Sequence, residues 1–108
     1  MTEQKNITSM NNNELQKEVL VWADQKSLLK RENAFKQYIK SVSEMGELGD
    51  AIIKQNEEEI IDALGDVQVT LIILAQQLGY NYDECLESAY NVIKNRTGKT
   101  VAGTFIKD

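Results

Sequence analysis

Histidine is absent from the 108-residue chain. Its absence removes the commonest zinc ligand, the usual acid/base side chain near neutral pH, and the Glu-x-x-His ligands of ferritin-like di-iron bundles. Proline is absent too, and the six glycines fall mostly near segment ends, so long uninterrupted helices fit more easily than strands. A lone cysteine, Cys85, excludes an internal disulfide. With no histidine or basic pair beside it, Cys85 reads as a small packing residue in a reducing compartment. No apolar run approaches the ~20 residues needed to span a bilayer, because Gln68, Thr70, Gln76 and Gln77 interrupt the longest one. The N-terminus MTEQKNITSM lacks the basic-then-apolar order of a signal peptide, so the expected location is cytoplasmic, away from membranes.

Basic charge is also scarce. A formal net charge of −5 without a long basic run argues against a nucleic-acid polymer as partner, since gripping that backbone takes clustered Lys and Arg. Free nucleotides remain open, because a metal can mediate their binding. Any chemistry must rest on carboxylates, amines, amides and hydroxyls.

What is present describes a folded domain. With 42% hydrophobic and 27% charged residues, nothing in the totals suggests disorder. A core of this size is modest, so burial against a second copy is expected. Residues 1–10 are polar and aperiodic and read as a loose tail; residues 11–108 read as one all-α domain. The run Asn11–Asn13 before Glu14 supplies a cap. Leu15, Val19, Trp22, Ala23 and Leu29 then recur at helical spacing to about Lys30. A second helix is predicted over about Glu32–Lys54, with Phe35, Tyr38, Ile39, Val42, Met45, Ile52 and Ile53 on one stripe. Opposite them lie Gln37, Lys40, Glu44 and Glu47. A third helix runs over about Glu58–Leu78 and is apolar nearly all round in its second half. Gly79 ends it, and Asn81 or Asp83 caps a fourth reaching about Arg96. The remaining GKTVAGTFIKD has short extended character.

The acids carry the functional signal. Glu44 and Glu47 stand three residues apart, on one helical face about one turn apart. Taken alone, opposite the apolar stripe, they read as solvated surface acids. On the third helix Glu59, Asp62 and Asp66 share a stripe that continues through Val69 and Ile73, toward the apolar part of the helix. Carboxylates near an apolar wall are normally paired with a cation. Four oxygen donors on two helices joined by a short turn, Glu44, Glu47, Asp62 and Asp66, can face each other and hold a hard divalent ion. Carboxylate-only ligation favours Mg²⁺ or Mn²⁺, which points toward phosphoryl chemistry.

SEMGELGDAI followed by EEIIDALGDVQVTL resembles the Glu-x-x-Glu … Glu-x-x-Asp signature of the MazG-like all-α nucleotide pyrophosphohydrolases, relatives of dimeric dUTPases and dCTP pyrophosphatases. The likeness runs from about Trp22 through Lys99, and AYNVIKNRTGK resembles small phage-type members. One departure stands out: the family's second motif usually has an acid three residues before its aspartate, and here that place is Ala63. Asp62 and Asp66 are then the expected metal ligands, with Glu59 behind them, while Glu59-x-x-Asp62 keeps the motif spacing one turn upstream and leaves open which of Glu59 and Asp62 replaces the missing acid. The resemblance implies antiparallel helices in a dimer or dimer of dimers, and Mg²⁺-dependent conversion of NTP and water to NMP and pyrophosphate. Glu47, with Glu44, is the catalytic candidate that orients or deprotonates the attacking water. Lys40, Asn91, Lys94, Arg96 and Trp22 are the candidate substrate contacts. Their plainer readings are an i,i+4 ion pair for Lys40, a capping or buried amide for Asn91, dipole-favoured cations for Lys94 and Arg96, and core packing for Trp22 and Tyr90. Two other accounts remain: a helical dimerising or regulatory module, and a nucleotide-binding member that has lost hydrolysis.

Overall fold

The computed structural model describes residues 10–108. The predicted tail, apart from Met10, lies outside the described residues. The architecture is all-α: helices α1 (Asn12–Gln25), α2 (Ala34–Lys54), α3 (Glu57–Gln77) and α4 (Tyr82–Ile93), then a small hairpin of β1 (Gly98–Val101) and β2 (Thr104–Lys107). Each helix begins or ends for an identifiable local reason. At α1, Asn11 Oδ1 accepts from the Glu14 amide at 2.9 Å while the Asn11 amide donates to Glu14 Oε1 at 3.0 Å, a reciprocal capping box. Asn56 and Asn81 cap α3 and α4, each accepting a backbone N–H at 3.1 Å from Glu59 and Glu84.

Two boundaries differ from the periodic pattern. Helix α1 stops at Gln25, not Lys30, because Ser27 adopts a left-handed φ of 59° and breaks the ladder. A 3₁₀ turn, Arg31–Asn33, then redirects the chain into α2. Helix α4 ends at Ile93, short of Arg96.

The main packing is α2 against α3. Gln55, left-handed at φ 57°, ends α2, and the Asn56 cap starts α3 at once. Near this turn Lys54 meets Glu59, while at the far end Gln37 Nε2 donates to the Thr70 carbonyl oxygen at 3.2 Å. Early α2 beside late α3, and late α2 beside early α3, is an antiparallel pair. Helix α1 lies on α3, and Gln16 Nε2 joins it to α4 by donating to Asp83 Oδ1 at 2.6 Å. Arg31 Nη1 donates to the Leu78 carbonyl oxygen at 3.0 Å, satisfying the C-terminal end of α3. Among the described residues no helix is long and apolar enough to cross a membrane.

The core is small and built of Ala23, Ala51, Ala63, Ile72 and Ile73. The apolar stripe of α2 faces away from it. Phe35, Tyr38, Ile39, Val42, Met45, Ile52 and Ile53 are all exposed, while Ser41, Glu44 and Ala51 are the buried residues of that helix. Trp22 and Tyr90, read from their stripes as core, are exposed as well. Helical periodicity identifies residues that share a face; here the polar face of α2 is the one that meets α3.

The extended character of the C-terminal segment resolves into a true hairpin. Ala102 and Gly103 both have positive φ, as a tight two-residue loop between twisted strands requires. Gly98 has no room for a side chain, since a Cβ there would strike the Ile106 carbonyl oxygen.

Candidate active site

The turn at Gln55–Asn56 sets the end of α2 against the start of α3, and both segments are acidic. On α2, Glu44, Glu47 and Asp50 recur every third residue along one side. On α3, Glu59, Asp62 and Asp66 occupy the first turns. The structure brings Glu47, Asp50, Glu59, Asp62 and Asp66 onto the walls of one cleft of about 310 Å³, with Ala63 and Lys54 completing the lining. Lys54 Nζ lies 3.9 Å from Glu59 Oε1, a loose contact that leaves most of the negative charge in the cleft uncompensated.

Asp50 was not apparent from the motif reading. Its signal is present in the sequence as a third step of the Glu44, Glu47 spacing. It sits across the cleft from α3, where Ala63 contributes only a methyl group to the opposite wall.

Glu44 is placed differently from its partners. It does not line the cleft; its side chain is 8% exposed, and Lys40 Nζ, on a side chain 61% exposed, lies 3.2 Å from Glu44 Oε2. Burial removes the reading of Glu44 as a solvated surface acid. The adjacent cavity, about 500 Å³, is lined by Trp22, Lys36, Gln37, Lys40, Thr70 and Gln77 among others. The structure thus brings Trp22 and Lys40 together there, beside the acids. Asn91, Lys94 and Arg96 line neither space; all three are exposed, and Lys94 Nζ sits 5.9 Å from the Tyr90 ring centroid.

The donors of the cleft are all carboxylate oxygens, the chemistry that suits Mg²⁺ or Mn²⁺. Among the described residues no three acidic groups are gathered tightly enough to hold an ion by themselves. Mg²⁺ usually takes only one or two carboxylates and completes its shell with water and substrate phosphates, so an open acidic cleft fits it.

Two long antiparallel helices presenting carboxylates across a cleft, with neither histidine nor cysteine in it, define an all-helical protein with an acidic site. Residues 32–101 match the MazG-like family, and the chain belongs to that family. It is also similar to an uncharacterized 18.2 kDa protein in the rep-hol intergenic region of Haemophilus phage HP1 (strain HP1c1), 36% identical over 64 residues. That alignment covers 59% of this chain and 39% of the phage protein, so the match spans well under half of that protein's length. No solved structure matches.

Proposed function

We propose that the chain hydrolyses nucleoside triphosphates to the monophosphate and pyrophosphate, with Mg²⁺ or Mn²⁺ held in the acidic cleft. The observation that carries this reading is the meeting of Glu47, Asp50, Asp62 and Asp66 in one cleft of a MazG-like chain, a family that points to nucleotide hydrolysis. Bound there, the ion supplies neutralisation of the triphosphate and acidification of the attacking water. The side chains divide the remaining work. Asp62 and Asp66, one turn apart on α3, hold the cation from one wall; Asp50 contributes from the other, in the role Ala63 leaves open. Glu47 orients the attacking water and accepts its proton. Glu44 holds the Lys40 ammonium beside the cleft, where it would be available to a phosphate.

The working unit in this proposal is a homodimer or a dimer of dimers, in the cytoplasm. Phe35, Tyr38, Ile39, Val42 and Met45 form one continuous exposed apolar face on α2, and Val101, Phe105 and Ile106 leave the hairpin equally bare. Patches of this kind mark association surfaces. A second copy covers α2, and from that copy Asn91, Lys94 and Arg96 reach the phosphates.

A second reading draws on Ala63. A family member that binds nucleotides without cleaving them fits a cleft wall with a methyl group at that position.

The metal site is tested by titrating the protein with Mn²⁺ and following free Mn²⁺ by electron paramagnetic resonance. Asp62→Asn and Asp66→Asn should each weaken binding about ten-fold or more, with unchanged far-UV circular dichroism. Wild-type affinity in both variants would remove the ion from this cleft.

A further inference from the structure

The hairpin stands apart from the helices. Strands β1 and β2 pack on each other, and among the described residues neither packs broadly on a helix. Val101, Phe105 and Ile106 are all half-exposed. An isolated two-stranded hairpin is marginally stable in water and needs a helix or a further strand against one face. The register shows which face is left to be covered. Lys99 pairs with Ile106 and Val101 with Thr104, so these four side chains share one face. On the other face the Phe105 ring lies over Gly98, where an added Cβ would come within 2.7 Å of it. The open face is the one with Lys99, Val101 and Ile106.

Charge narrows what covers it. No acid occurs between Glu87 and Asp108, and that segment holds Lys94, Arg96, Lys99 and Lys107. The opposite composition stands where α2 meets α3, with eight acids and one lysine from Glu44 to Asp66. Ile52, Ile53, Ile61 and Leu64 are exposed within that same stretch, Ile53 at 82%. A basic apolar face and an acidic apolar end are complementary, yet they do not meet inside one chain: no residue of the hairpin lines the acidic cleft. Two other arrangements are disfavoured. Hairpin against hairpin would set the cations of both copies side by side. The first half of α2, although apolar on its outer face, carries Lys36 and Lys40 and no acid before Glu44, so it repels Lys99.

We propose that the hairpin of one copy docks, through Lys99, Val101 and Ile106, on the acidic end of the α2–α3 pair of a second copy. The inference rests on the dimer reading above and deepens it, naming the element of the second copy that reaches the site and the cation it delivers. Under two-fold symmetry the contact is made twice, each hairpin on the other copy. Docking buries the bare apolar face of the hairpin. It also sets Lys99 at the edge of a cleft whose negative charge Lys54 leaves mostly uncompensated. The site is then incomplete in a single chain, because a cation for the phosphates comes from the neighbouring copy.

Carbodiimide cross-linking, which joins a lysine amine directly to a carboxylate beside it, tests this on the wild-type chain. Unlabelled and heavy-nitrogen-labelled protein are unfolded together, refolded, cross-linked and digested, so that peptides of mixed isotope report contacts between copies. Docking predicts mixed peptides joining Lys99 to acids of residues 44–66, in preference to acids of α1 such as Glu14 and Glu18. Ile106→Thr keeps a β-branched residue in the strand while removing apolar surface from the docking face. It should lower the Lys99 yield about ten-fold in dilute protein. Lys99 cross-links confined to single chains, inter-chain links spread evenly over all acids, or an unchanged yield in a folded Ile106→Thr variant would each overturn the docking. If the variant does not fold, the wild-type pattern decides alone. Light scattering and product chromatography on the same preparation keep the readings apart. A dimer without these cross-links removes the docking and leaves the dimer; cross-links without turnover leave the docking and remove hydrolysis.

Discussion

Lys40 Nζ lies 3.2 Å from Glu44 Oε2, and the pair joins an exposed ammonium to a carboxylate buried between α2 and α3. A buried carboxylate is tolerated when a cation accompanies it. The partial exposure of Lys40 screens the interaction and limits its worth. Lys40→Met should therefore lower stability by about 1 kcal/mol, and adding Glu44→Gln to it should recover most of that loss. Urea denaturation of the two single variants and the double variant checks the coupling; additive losses would mean that the pair does not stabilise the fold.

Asn56 holds the first turn of α3, the segment that carries Glu59 and Asp62 into the cleft. Asn56→Ala should cost about 1 kcal/mol, as loss of a helix cap usually does. Asn81→Ala, at the cap of α4, should cost a similar amount. The two should diverge in Mn²⁺ affinity: fraying α3 moves ligands, and fraying α4 does not. Equal Mn²⁺ affinity in both variants would show that the start of α3 does not position the site.

Lys54 is the cation on the lining of the acidic cleft. Removing it raises the negative potential there without touching a carboxylate. Lys54→Met should tighten Mn²⁺ binding by about two- to five-fold at low ionic strength, with the gain shrinking as salt is added. Weaker binding would show that Lys54 organises the ligands instead of competing with the ion.

The exposed apolar face of α2 makes its own prediction. Light scattering after size exclusion should give a multiple of the chain mass, and Val42→Asp, at the middle of that face, should shift the protein toward monomer or aggregate while leaving Glu44 and its neighbours in α2 unchanged. A wild type that runs as a monomer would leave this face without a second copy to cover it.

The number and order of the helices were legible because their signals are local: asparagine caps at Asn11, Asn56 and Asn81, and helical periodicity between them. The break after Gln25 was not, since Ser27 carries its left-handed turn without a glycine or proline to announce it. The apolar stripe of α2 is legible in the sequence as a set of residues that share a face, whereas its surroundings are not. Phe35, Ile39 and Val42 share a face, but whether that face meets the same chain or solvent is decided by tertiary packing, and here Ser41, Glu44 and Ala51 are the residues of α2 that turn inward. Of the acids, Glu47, Glu59, Asp62 and Asp66 were visible through their spacing, and the structure gathers them. Asp50 was missed because it extends a repeat that looked complete after two members. Gln77 was visible only as a polar interruption of an apolar helix; the fold buries it, with Nε2 donating to the Leu28 carbonyl oxygen.

The most direct measurement incubates the purified chain with canonical NTPs and dNTPs, in Mg²⁺ or in EDTA, and identifies the products by chromatography. The account predicts the monophosphate and pyrophosphate in Mg²⁺, nothing in EDTA, and loss of turnover in a folded Glu47→Gln variant. Diphosphate and inorganic phosphate as products, turnover that persists in EDTA, or no turnover of any nucleotide would contradict it.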